Sequence, residues 1–129
     1  MQIHQSAEDY LETILMLTQR MGRVRSIDVV NELGYTKASV SIAMKKLREN
    51  GYIAVDGEGN LTLLEPGREI AERIYSRHRL LTHFFVQLGV DEEVAAEDAC
   101  KAEHILSEQT LEKIRESALR NDAAHPQAK

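Results

Sequence analysis

The chain has a single cysteine, Cys100, in 129 residues, so it cannot close an internal disulfide. A reducing cytoplasm is its expected setting. It has no apolar run near the roughly 18 residues that suggest a membrane span. Its opening residues, MQIHQSAEDY, have neither the basic stretch nor the apolar stretch of a secretion signal. No internal repeat or low-complexity tract is visible. There is no phosphate-binding loop and no evident general acid–base constellation, which argues against an enzyme. What is there is 43% hydrophobic and 29% charged. That is the balance of a soluble globular protein of one or two small domains.

The net charge of -5 is a weak argument against nucleic-acid binding, but the charge is unevenly spread. Residues 20–50 carry seven basic side chains (Arg20, Arg23, Arg25, Lys37, Lys45, Lys46 and Arg48) against three acids. Residues 86–116 carry nine acids against three bases. This polarity fits a front that meets an anion and a rear with another task. Ordinary solvated helix faces are the plain alternative.

Periodicity places the elements. SAEDYLETILMLTQR reads as a helix, with Ser6 as its N-cap and Ala7, Tyr10, Leu11, Ile14 and Leu15 on one apolar face, stopped by Gly22. SIDVVNELG reads as a short second helix opened by Ser26 and closed by Gly34. KASVSIAMKKLRENG reads as a third, with Val40, Ala43, Met44 and Leu47 inward. YIAVDGEGNLTLLE then reads as two strands around a Gly-rich turn. Three further helices follow: a long one after Pro66, one opened by Asp91, and a shorter one over EQTLEKIRESALR. Residues 122–129 read as a frayed tail.

The first half therefore reads as a winged helix-turn-helix, with the third helix in the major groove. Arg25, Lys37, Ser39, Ser41, Lys45, Lys46 and Arg48 are the candidate DNA-binding residues. Lys37, Ser39 and Ser41 lie near the end that reaches base edges, and Lys45, Lys46 and Arg48 suit phosphates. The acidic wing tip, DGEGN, implies weak wing contact. A helix bundle with a hairpin, or a winged helix that binds protein, are the alternatives.

In the second half, EDACKAEHILSEQ places Cys100, Glu103 and His104 on what reads as one helix face. Thiolate, carboxylate and imidazole together suit a divalent transition metal. A lone Cys is more often a small buried hydrophobe. His78 falls within the apolar stripe of Ile70, Ile74, Leu81, Phe85 and Leu88, where a hydrogen-bonded core histidine is the common reading. His83 falls off the stripe and reads as solvated. Asp9 and Glu12 form an i, i+3 carboxylate pair on the first helix. The case for a metal rests on all six residues together. A di-metal enzyme fits poorly, because Glu103 and His104 are adjacent rather than in Glu-x-x-His spacing. A winged-helix regulator responding to a small organic ligand without metal would keep the first half and treat His78 and Cys100 as core.

SAEDYLETI, SRHRLL and EDACKAEHILS, in that order, resemble the three ligand-bearing segments of the diphtheria-toxin-repressor family of metal-dependent transcriptional repressors. The resemblance covers about residues 5 to 120, and the short manganese-type form without an SH3-like domain is the nearer match in length. It implies a mainly α protein, with a winged helix-turn-helix over 1–65 and an all-helical metal-binding and dimerisation domain over 66–121. It implies that Asp9, Glu12, His78, Cys100, Glu103 and His104 ligate the metal. It implies a cytoplasmic homodimer on a palindromic operator that represses metal-ion uptake genes. The iron branch uses further ligands where this chain has Thr82 and Ala96, which cannot serve. Asp9 is of the manganese type and Cys100 of the iron type, so the ligand set is a hybrid, with Fe2+ expected to be favoured and Mn2+ next. Phe84, Phe85, Leu88, Ile105 and Leu106 are the expected dimer contacts, being too many large apolar groups for a three-helix half to bury by itself.

Overall fold

The computed structural model describes residues 5–124, with side chains from Ser6 onward. Among these, six helices and one two-stranded sheet occur in the order α1 (Gln5–Met21), α2 (Ser26–Leu33), α3 (Lys37–Glu49), β1 (Ile53–Val55), β2 (Leu61–Leu63), α4 (Glu65–Gln87), α5 (Glu92–Ala102) and α6 (Glu108–Ala124). The chain is mainly α. It forms two compact units that divide within α4, between Ile74 and Tyr75.

The first unit is a winged helix-turn-helix. Its core gathers Leu11, Ile14 and Leu17 of α1, Val29 of α2, Val40, Met44 and Leu47 of α3, and Ile53, Leu61 and Leu63 of the hairpin. Full burial of one such side chain stabilises the fold by about 2 kcal/mol. Gly34 closes α2 in the left-handed conformation (φ 71°), donating its N–H to the Val30 carbonyl at 2.8 Å. β1 and β2 pair antiparallel, with Ile53 opposite Leu63 and Val55 opposite Leu61. A piece that the sequence pattern does not announce completes the hairpin. Leu61 N–H donates to the Val24 carbonyl at 2.7 Å, and Arg25 bridges Asn60. Val24 and Arg25 thus form a minimal third strand, too short to show an alternation.

The start of α4 closes on the hairpin. A Cβ added at Gly67 would overlap the Tyr52 carbonyl, so only glycine fits there. Leu64 N–H also donates to that carbonyl, at 3.0 Å.

Two helix starts differ from expectation. α1 begins at Gln5, so Ser6 lies inside the helix rather than capping it. Ser26 is likewise the first residue of α2; Arg25 is the N-cap, and its N–H donates to Asp28 Oδ2 at 2.9 Å.

The second unit is helical: the rest of α4, then α5 and α6. Leu81, Ala99 and Leu111 form its buried centre, with Phe85, Ala102, Leu106 and Ile114 packed around them. α5 buries only the small residues Ala95 and Ala99. Ser107 starts α6, accepting the Thr110 N–H at 3.2 Å on its hydroxyl. α6 runs to Ala124, past the expected end at 121, so Asp122 belongs to a helix and not to a frayed tail. Residues 125–129 lie outside the described part. The reason is a set of bonds that α4 offers to the last turns of α6. Gln87 Nε2 donates to Asp122 Oδ1 at 2.8 Å, and Asn121 Nδ2 donates to Gln87 Oε1 at 3.2 Å. His83 Nε2 stands 3.0 Å from Asp122 Oδ1, so His83 is held in this network rather than merely solvated. No helix among the described residues is long and apolar enough to cross a membrane.

Candidate nucleic-acid interface and metal-ligating residues

α3 presents its polar face outward. Lys37, Ser39, Ser41, Lys45, Lys46 and Arg48 are all exposed, while Val40, Met44 and Leu47 face the core. Thr36 is the N-cap. Its hydroxyl oxygen accepts the Ser39 N–H at 3.1 Å and donates to Ser39 Oγ at 2.9 Å. Thr before a helix is a strong capping signal, and the sequence carries it here. Ile42 is 59% exposed on the same outer face. An isoleucine within a helix reads as core. Only its phase, opposite Val40 and Leu47, marks it as outward.

The wing is built around one carboxylate. Asp56 Oδ1 accepts the Glu58 and Asn60 N–H groups, each at 2.9 Å, and Oδ2 accepts Asn60 Nδ2 at 3.0 Å. The Asn60 backbone and side-chain donors hold the Asp56 carboxyl below its ordinary value of 3.8. The acid at the tip is therefore partly a turn-forming residue. Arg25 reaches the same tip: its Nε donates to the Glu58 carbonyl at 3.0 Å, and Nη2 donates to the same oxygen. Arg25 is exposed and at the same time ties the start of α2 to the wing.

The six candidate metal ligands fall into two groups. Asp9 and Glu12 lie about one turn apart on α1; Asp9 is half-buried and Glu12 buried. The other four lie in the second unit and gather around Glu103. That carboxylate is fully buried. Ligand atoms of His78 and of Cys100 each lie within 4.8 Å of it, and His104 Nε2 lies 3.6 Å from Glu103 Oε1. The imidazole of His104 is almost fully enclosed.

One detail differs from the expected single helix face. α5 ends at Ala102, and Glu103 is its C-cap. Glu103 keeps helical angles (φ -60°, ψ -24°) and donates its N–H to Ala99 at 3.0 Å, so it stays in phase with Cys100. His104 instead sits in the turn that follows, which leads into the Ser107 cap of α6. The turn brings the imidazole back beside the carboxylate.

The donor set fits a divalent transition metal. A buried carboxylate is costly unless its charge is offset, and a thiol and two imidazoles stand ready beside it. Cys100 is exposed, unlike a small buried hydrophobe. His78 Nε2 stands 3.2 Å from the Ala96 carbonyl. A carbonyl only accepts, so this contact puts the proton on Nε2 and leaves Nδ1 as the acceptor nitrogen of the ring. Orientation of a ligating histidine by a backbone carbonyl is the usual outer-shell arrangement. Thr82 donates its hydroxyl to the His78 carbonyl at 2.8 Å.

Two family models match. The first, iron dependent repressor, N-terminal DNA binding domain, matches residues 2–61. The second, iron dependent repressor, metal binding and dimerisation domain, matches residues 64–126. An uncharacterised HTH-type transcriptional regulator of Methanocaldococcus jannaschii is 36% identical over 113 residues, covering 86% of this chain and 90% of that protein. The HTH-type transcriptional regulator MntR of Bacillus subtilis is 35% identical over 109 residues, covering 84% of this chain and 77% of that one. A solved manganese-dependent transcriptional repressor in complex with manganese is similar with a TM-score of 0.80 at 28% identity, over 87% of this chain. This chain spans 52% of that one, about half its length. With an exposed basic helix in a winged first unit and a gathered donor set in the second, the chain belongs to the iron-dependent repressor family, and it is a transcriptional regulator rather than an enzyme.

Proposed function

We propose that this chain is a metal-activated repressor of metal-ion uptake genes, acting in the cytoplasm as a homodimer on a palindromic operator. The observation that carries this reading is the buried Glu103 carboxylate with Cys100, His78 and His104 around it. The ligands are Asp9, Glu12, His78, Cys100, Glu103 and His104, and the bound ion supplies the positive charge that this acidic set lacks. His78 and His104 would bind as neutral imidazoles and Cys100 as the thiolate, so metal binding would release protons and activation would strengthen with rising pH.

Two of the ligands belong to α1 of the DNA-binding unit and four to the second unit. Ligation by both groups favours one arrangement of the two units, and so one spacing of the paired α3 helices. Metal and operator then favour the same state, which is linkage between two sites. Lys37, Ser39 and Ser41 meet base edges; Lys45, Lys46 and Arg48 meet phosphates, and Arg25 joins them at the wing side. The dimer forms through the second unit, whose Leu88 and Ile105 are 65% and 79% exposed, together with the half-buried Phe84, Phe85 and Leu106. Large exposed apolar side chains such as Leu88 and Ile105 are the groups that a subunit contact would cover.

Cys100 tilts the ligand set toward Fe2+, because a thiolate is softer than a carboxylate and ferrous iron lies beyond manganese in the affinity series. Asp9 and Glu12 pull toward Mn2+, the metal bound by the manganese-dependent repressor that this chain resembles. The test is anaerobic binding to operator DNA by chelator-stripped protein, titrated separately with ferrous and manganous ions. Activation by either metal, with ferrous iron effective at lower concentration, is the expected result. Binding indifferent to chelator would overturn the metal-activated reading. Sedimentation at micromolar protein with metal present checks the dimer; a monomer there counts against it.

A further inference from the structure

The outer face of α3 is not uniformly polar. Ile42 stands 59% exposed near its middle, and Ala38, one turn earlier, is exposed as well. At about 100° per residue, both lie on the side away from Val40, Met44 and Leu47. Both are flanked by Ser39, Ser41, Lys45 and Lys46, all exposed. Helix propensity gives no reason for an isoleucine there, since a β-branched residue is a slightly poorer helix former than alanine or lysine. Burial gives none either.

A major groove does supply an apolar partner of matching size. Thymine is the base that presents a methyl group there, and apolar side chains recognise it by contact. The flanking lysines suit the phosphates on either side, so the charge around Ile42 is complementary to a duplex and not to an apolar protein surface.

We infer that Ile42, supported by Ala38, is a specificity-determining residue that reads a thymine by packing on its C5 methyl group. This rests on the DNA-binding reading above. Ser39, Ser41 and Lys37 then read neighbouring polar edges, while the apolar contact selects thymine at one position of each half-site. Removing one buried methyl costs about a fourfold loss in affinity.

The experiment starts with the full chain and a random-sequence duplex library, selected with manganous chloride and, anaerobically, with a ferrous salt. Each thymine of the enriched site is then replaced by deoxyuridine, which removes only the methyl. The expected result is one position per half-site where the replacement weakens binding about fourfold. Ile42→Ala should bind the thymine site more weakly and be indifferent to deoxyuridine at that position, while Ile42→Val keeps part of the discrimination. Because Ile42 is exposed, both variants should keep the parent's helical circular dichroism and melting midpoint. The inference is overturned if the parent ignores every deoxyuridine, if Ile42→Ala keeps the parent's sensitivity, or if the enriched half-site holds no thymine. A library that yields no enriched site with either metal overturns the DNA-binding reading itself, a different and recognisable failure.

Discussion

Helices α3 and α5 have similar lengths, 13 and 11 residues, and put their chemistry in opposite places. α3 buries large side chains, Val40, Met44 and Leu47, and exposes the groups proposed to meet DNA. α5 buries two alanines, Ala95 and Ala99, and the proposed metal donors cluster at its C-terminal end around a carboxylate with no exposure at all. A surface that meets a polyanion needs charges free in solvent, each acting nearly alone. A metal needs donors converging on one point, and small residues let neighbouring elements come close enough to bring them. Substitutions on α3 should therefore act gradually and independently, and substitutions around Glu103 should act steeply and together.

The largest expected effect is Glu103→Gln. The amide keeps the shape and removes the charge, so metal affinity should fall by about 100-fold or more, the upper end of what even outer-shell changes produce. Thermal stability without metal should change far less, because the amide fills the same space. Metal competition and a melting curve read the two; loss of stability with unchanged metal affinity would make Glu103 a structural residue. Next comes Cys100→Ala, expected to weaken metal-activated operator binding about tenfold. Cys100→Glu should restore activation with a shift toward manganese. A Cys100→Ala variant that answers both metals like the parent would remove the hybrid ligand set.

Lys45→Ala tests the other side of the comparison. Loss of one phosphate contact should lower the slope of log affinity against log salt by about one and weaken all sequences alike. A change in sequence preference would mean that Lys45 reads a base. Thr36→Ala should destabilise the fold by about 1 kcal/mol through loss of the α3 cap, with Thr36→Ser close to the parent in thermal unfolding. The smallest effect concerns the wing. Asp56 has its carboxyl held below the ordinary value of 3.8 by Asn60. A depressed carboxylate contributes its full share above that value and loses it as pH falls through the lower folded-state value. The Glu58 and Asn60 amides should thus keep their exchange protection from neutral pH down to about 4 and lose it only in stronger acid. In Asp56→Asn the acid-dependent step should vanish.

The legible part of this molecule was local. The third-helix pattern predicts Val40, Ala43, Met44 and Leu47 inward; Val40, Met44 and Leu47 are buried, and the small Ala43 is half-buried. Gly34 after NEL announces a left-handed close, and its φ of 71° bears this out. The DGEGN turn announces the hairpin that β1 and β2 form. The hidden part was non-local or contrary to its own residue type. Ile42 is apolar yet outward. His83 looked solvated, but its partner Asp122 lies 39 positions away. Helix α5 was expected to run on through His104, yet it ends at Ala102 because Ser107 starts the next one.

The sequence by itself determined where helices and strands form, which face of α3 turns outward, and which residue types are available as metal donors. It could do so because periodicity, capping and turn chemistry act over a few neighbouring residues. Only the tertiary structure decided that Arg25 spends its guanidinium on the Glu58 carbonyl, 33 positions away, that Val24 becomes a strand partner of Leu61, and that Gly67 must lack a side chain beneath Tyr52. It also decided that Glu103, a glutamate like many others in an acidic stretch, has no solvent exposure and has the imidazoles of His78 and His104 near its carboxylate. Such meetings depend on which faces pack together, and a side chain's own neighbours in the chain carry no record of what will press against it from another helix.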